Sequence, residues 1–153
     1  MKKFALIAAL VVAASSLAQP GWAAEKKKGG TCYSAAAIEA EQAIRYVTDL
    51  MVISTACQDT AYAEFRLRNR DAIVAYQKAM ITHFRGAPAF DRWNTSIANQ
   101  AAHKQMMMAP AVFCQQGEVV RKQASTLDMN AFRAYVAQQA AAASAQYAKC
   151  GKK

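Results

Sequence analysis

The stretch HKQMMMAPAVFC, residues 103 to 114, holds one imidazole, three thioethers and a cysteine sulfur. Thioether and imidazole are donors that a soft ion such as copper(I) prefers. A copper centre needs its donors to converge, and successive helical residues point about 100° apart. Met106, Met107 and Met108 therefore cannot all face one centre on a helix. The workable set is His103 with Met106 or Met107, at three- and four-residue spacing, completed by a ligand from another helix. Cys114 adds no thiolate if it is oxidised. Methionine is also a filler of irregular core space, and here Ala109 and Pro110 mark a turn directly after the run. With no second His/Met cluster beside it, the stretch is expected to serve core and turn packing; copper binding is the alternative.

The only other histidine, His83, falls in the expected last turn of a helix. A protonated imidazole gains there from the helix dipole. The sharper alternative is an axial haem ligand paired with a methionine, an analogy of architecture alone. Catalytic signatures are missing from the chain: there is no HExxH, no GxSxG and no glycine-rich phosphate loop. Glu39 and Glu41 stand two apart and so diverge on a helix. The expectation is a protein that is not an enzyme and that needs no cofactor, copper or haem being the alternative.

Where the chain goes is better marked. Lys2 and Lys3 precede an apolar run from Phe4 to Leu17, then Pro20 and Gly21, then Ala23 and Ala24. That is the order of a secretory signal peptide, and the run is short of the roughly 20 residues that span a bilayer. Cleavage after Ala23 places Gly21 and Ala23 at the small positions; cleavage after Ala24 would place Trp22 there. The expected divisions are a signal peptide over 1–23, a basic lead-in over 24–33, a helical domain over 34–150 and a basic tail over 151–153. The expected destination is the periplasm of a Gram-negative bacterium, or the exterior, with no membrane-spanning segment in the mature chain.

Charge narrows the partners. Removing Lys2 and Lys3 leaves 17 Lys and Arg against 10 Asp and Glu, and much of that excess lies in Lys26, Lys27, Lys28, Lys152 and Lys153. A nucleic-acid binder gathers positive charge on one folded face, so nucleic acid is excluded as the expected partner. Arg66, Arg68 and Arg70 do not share one helix face, and Glu64 is placed to pair with Arg68.

The elements that must position these groups are helices. Three prolines occur, and Pro88 and Pro110 sit where helices start. Strand-like alternation is absent, so no sheet is expected. Helix A runs from the N-cap Ser34 to Ala56, and helix B from about Thr60 to Phe84 with Gly86 as its stop. Helix C starts near Pro88 and helix D near Pro110. Asp128 caps helix E, Leu127 and Phe132 form a hydrophobic staple, and Gly151 ends it. Asn69 lies on the inward stripe of helix B, where a buried polar residue fixes register. The expected fold class is all-α, a small disulfide-stapled bundle of four or five helices.

Cys32, Cys57, Cys114 and Cys150 are even in number and show neither CxxC nor CxxCH spacing, so two disulfides are expected in an oxidising compartment. Helix A, about 35 Å long at 1.5 Å per residue, keeps Cys32 and Cys57 apart. Alternating helices bring Cys57 to Cys114, which leaves Cys32 for Cys150. Simple alternation of five helices puts that second pair at opposite poles, so it requires a flexible lead-in or a skewed helix E.

The expected function is a non-catalytic binding or structural role toward a macromolecular or envelope partner; an envelope stress chaperone ranks third, after metal or haem handling. Loops of about 58 and 119 residues closed by disulfides would contribute roughly 4–5 kcal/mol each in the chain-entropy model. Reduction is therefore expected to lower the melting temperature sharply. Unchanged melting, with four thiols titrating in the oxidised protein, would remove the cross-links.

Overall fold

Ser34 opens the fold: its hydroxyl accepts the Ala37 N–H at 3.1 Å and starts α1, Ala35–Cys57. The computed structural model describes residues 32–150; the expected signal peptide, most of the lead-in and the tail lie outside the described residues. Five further α-helices follow among those residues: α2 (Ala61–Arg68), α3 (Arg70–His83), α4 (Ala87–Met106), α5 (Pro110–Thr126) and α6 (Met129–Ala143). A short 3-10 turn covers Ser144–Gln146. The protein is all-helical and stapled by two disulfides, Cys32–Cys150 and Cys57–Cys114. This is the pairing expected once the length of helix A separates Cys32 from Cys57 and alternating helices bring Cys57 to Cys114.

Helix α1 buries far more than one narrow stripe. Ala37, Ile38, Ala40, Ala43, Ile44, Tyr46, Leu50 and Ile53 are all buried, together with the polar Glu41, Thr48 and Ser54. A helix apolar around most of its circumference belongs at a centre, and α1 touches each of the other five helices. One apolar cluster gathers Tyr46, Leu50, Phe65, Phe132 and Val136 on one side. A second gathers Ile44, Met80, Phe90 and Ile97 on another. Met80 is the methionine that the core uses, with no exposed surface at all.

Helix B is divided. Asn69 leaves helical geometry at φ −111° and ψ 14° and separates α2 from α3. Its side-chain amide donates to Phe65 O at 3.1 Å and to Leu127 O at 3.0 Å. The expected register residue is thus fully buried, and its partner is the end of another helix. The Ser125 and Thr126 hydroxyls donate to Lys122 O and Gln123 O at the end of α5, and the carbonyls beyond them lack intrahelical donors. Arg68 supplies a second donor there, from Nη2 to Ala124 O at 2.8 Å. Arg68 therefore does not make the surface pair expected with Glu64, whose carboxylate instead accepts from the Thr60 hydroxyl at 2.6 Å.

Simple alternation of helix direction also fails, at α6. Gly117 of α5 lies on Ile53, near the C-terminal end of α1. Phe132 of α6 meets Tyr46 in the middle of α1, ring centroids 5.9 Å apart, and Ala140 shares a groove with Ile38 near its N-terminal end. Helices α5 and α6 run in succession toward the same end and make one return pass between them. The two-residue joint explains this. Leu127 is extended and packs inward, while Asp128 accepts the Ala131 N–H at 2.9 Å, so a new helix starts without a reversing loop. Cys150 thereby arrives beside Cys32, with 4.8 Å between their Cα atoms. The last helix also stops at Ala143, short of Gly151, and the extended chain beyond Tyr147 lies along Tyr33. The Tyr33 N–H donates to Ala148 O, and the Cys150 N–H donates to Tyr33 O.

Gly117 permits the contact of α5 with α1, since a Cβ added there would stand 2.6 Å from Ile53 Cγ2. Alanine gains about 1 kcal/mol in helix propensity over glycine, while overpacking a core costs typically 1–3 kcal/mol. Gly117→Ala is therefore expected to destabilise the protein in urea unfolding. In an Ile53→Ala background the same substitution is expected to stabilise it.

Candidate functional site

The two ends of α1 carry different chemistry. At the end held by Cys32–Cys150, a carboxylate lies inside the protein. Glu41 is only 3% exposed, and its Oε1 accepts from Arg45 Nε at 2.8 Å and Nη2 at 2.7 Å. Its Oε2 is buried without a hydrogen-bond partner among the described residues, so Arg45 alone compensates this buried charge by hydrogen bonding. The phenols of Tyr33 and Tyr147 flank Glu41, and Gln42 donates to the Tyr147 oxygen at 2.8 Å. Burial first, and the Glu41 charge second, push the Tyr33 phenol far above its ordinary range; the same causes push the Tyr147 phenol up to about 12. Both hydroxyls therefore keep their protons at neutral pH. Arg45 also reaches over the Trp93 ring, 5.8 Å from its centroid, a cation–π arrangement.

His83 closes this cluster. Its ring lies 4.1 Å from that of Tyr33 and 5.0 Å from that of Phe84, centroid to centroid. Burial lowers the His83 pKa, and the nearby Glu41 offsets this only in part. Sequence reasoning set Glu41 aside because it looks at Glu39 along the chain. Its actual neighbours come from both ends of the described chain and from α3.

At the other end, α4 turns into α5 near the Cys57–Cys114 bridge. The expected role of the methionines in core packing is overturned here. Met106 is 71% exposed and Met107 73% exposed, and Met108 is also exposed, though less. The reason is topological. The turn into Pro110 lies beyond the end of the core, and only Met108 leans back toward α1. With Val52, Ile53, Phe113, Gly117 and Val120 it lines an apolar groove of about 210 Å³ between α1, α4 and α5. Asp49 and Lys104 stand at its polar edge. Neighbouring side chains displace enough water to push the Asp49 carboxyl upward, more than Lys104 and Arg45 pull it down. Val112, seven residues before Val119 and so on the same side of α5, is exposed like it and extends the apolar surface.

The sequence-selected donors are thus divided. His103 lies in the last turn of α4 with Met106, and Met107 caps that helix. His83 sits at the opposite end of the bundle, beside Tyr33, and does not join them. The four cysteines form the two bridges, leaving no free thiol. A larger groove of about 390 Å³ lies between α1 and α6, with Tyr33 and Ile38 on one side and the small residues Ala137, Ala140 and Ala141 on the other. The sequence signal that could have found the first groove is a glycine within the apolar stripe of helix D, which marks a close approach of two backbones.

No protein-family model, no curated protein and no solved structure matches this chain.

Since His83 is held less basic than a free imidazole, protons bind the unfolded chain more readily than the folded one. Its contribution is fully present above about pH 6.5 and declines as pH falls from there toward the lowered native value. His83→Gln is expected to flatten this part of the melting-temperature profile between about pH 7.5 and 5.5. Superimposable profiles for the two proteins would show that His83 is not the responsible group.

Proposed function

We propose that this is an exported, non-catalytic binding protein of a bacterial periplasm, which holds a macromolecular envelope partner by an apolar side chain seated in the α1–α4–α5 groove. The groove itself is the observation that carries the reading. Sites for drug-sized molecules usually run about 300–1,000 Å³, and 210 Å³ is below that range. Such a volume suits one anchoring side chain from a larger partner, which is how interface hot spots are built. The exposed Val112 and Val119 offer the partner further apolar surface beside the anchor. The larger groove between α1 and α6 has Tyr33 and Ile38 on one wall but only alanines on α6, and the charged Glu39 and Lys149 also line it, so it is a more polar seat for such an anchor.

Two disulfides support export, since such bridges persist in oxidising compartments. None of the described helices is long and apolar enough to cross a membrane. The charged lead-in over 24–33 and the tail over 151–153 add a weak pull toward anionic envelope polymers.

Photo-crosslinking in the native host tests this. A benzophenone side chain at Val112 or Gln116 is expected to give one discrete adduct in the envelope fraction. The same group at Asp71, in the first turn of α3 and outside the groove lining, is expected to give none. Equal labelling from all three positions, or none from any, would overturn the groove as the binding surface.

A further inference from the structure

We propose that His103, Met106 and Met107 form a surface site for one soft monovalent cation, copper(I), on the last turn of α4. Exposure is the first observation. Burial of thioethers stabilises a fold, so the two methionines nearest the histidine gain nothing from packing at 71% and 73% exposure. The core takes its methionine from Met80.

Geometry is the second. The Met107 N–H donates to His103 O at 3.2 Å, so the α-helical turn continues from the histidine to Met107. At 100° per residue, Met106 lies about 60° to one side of His103 and Met107 about 40° to the other. Both thioethers being exposed, the expected choice of one methionine plus a ligand from another helix gives way to a set within one turn: the imidazole is bracketed by two long, flexible side chains within the reach of i,i+3 and i,i+4 neighbours. Met108 departs from this set, because it lines the groove.

Donor chemistry selects the ion. Two sulfurs and one nitrogen suit copper(I), which accepts few, soft ligands. Among the described residues, no three His, Cys, Asp or Glu side chains gather to hold a harder ion. With the cysteines paired, no thiolate competes. The site takes up the ion as copper(I), so binding requires no electron transfer.

The test uses the oxidised protein, confirmed free of titratable thiols, with anaerobic copper(I) against a chromophoric chelator and silver(I) as a redox-inert probe. One ion per chain is expected, with the ε-methyl NMR signals of Met106 and Met107 shifting and that of Met80 unmoved. His103→Gln and the double variant Met106→Leu/Met107→Leu are each expected to weaken binding at least tenfold, while Met108→Leu leaves it unchanged. All these side chains are exposed, so circular dichroism and melting should match the parent. No stoichiometric binding, or binding insensitive to those substitutions, would overturn the site. A lost site would leave the groove crosslinks unaffected, so the two proposals fail separately.

Discussion

Burial of α1 on nearly all sides is the constraint from which the rest of the architecture follows. A single 23-residue rod offers more apolar surface than any one neighbour can cover, so five shorter helices must surround it, each supplying one face. Helix B cannot do this as a straight element. Its first part is needed against α5 and its second against α1, and the break at Asn69 lets it serve both. The buried amide also supplies a donor to the end of α5, so the break and the cap are one feature. A central helix brings its polar residues inside as well. Glu41 is tolerable only because Arg45 comes to it, and removing one partner of a buried charge is costly.

The contrast between the two ends of the rod shapes the functional reading. Around Tyr33 the interior is polar, with a carboxylate held by Arg45, a phenol held by Gln42, and the rings of Tyr33, Tyr147 and His83 packed together. Around the α4–α5 elbow the surface is apolar and sulfur-rich, and none of the described residues covers it. Binding is more economically placed at the second end, where desolvation has little to undo, than at the first, where existing hydrogen bonds would have to be broken. The groove and the methionine turn are adjacent but separate: Met108 belongs to one, Met106 and Met107 to the other.

Much of the fold was legible because its signals are local. Ser34, Asp128, Pro88 and Pro110 announce helix starts by capping and ring geometry, and the spacing of Phe90, Ile97 and Ala101 gives the buried face of α4. What escaped was set by distant contacts. Nothing near Asn69 in the sequence warns of a break, since no proline or glycine is there and the deciding acceptor is Leu127 O. The shared direction of α5 and α6 hides in a two-residue joint without a turn residue. Residue type misled at the methionines, because thioethers are usually interior and their exposure depends on where the core ends. Glu41 escaped for the opposite reason: a charged residue on a partly polar helix looks solvated until Tyr33 and Tyr147, far apart along the chain, fold over it.

The clasp between Cys32 and Cys150 has a mechanical side. The chain enters the domain and leaves it at points whose Cα atoms are 4.8 Å apart, joined covalently and reinforced by the hydrogen bonds of Tyr33 with the closing segment. Tension applied to the flanking segments passes through that cross-link and never reaches the helices. A domain tethered at either end, or at both, would keep its groove and its methionine turn undeformed under load, and would present them at the pole farthest from the point of attachment.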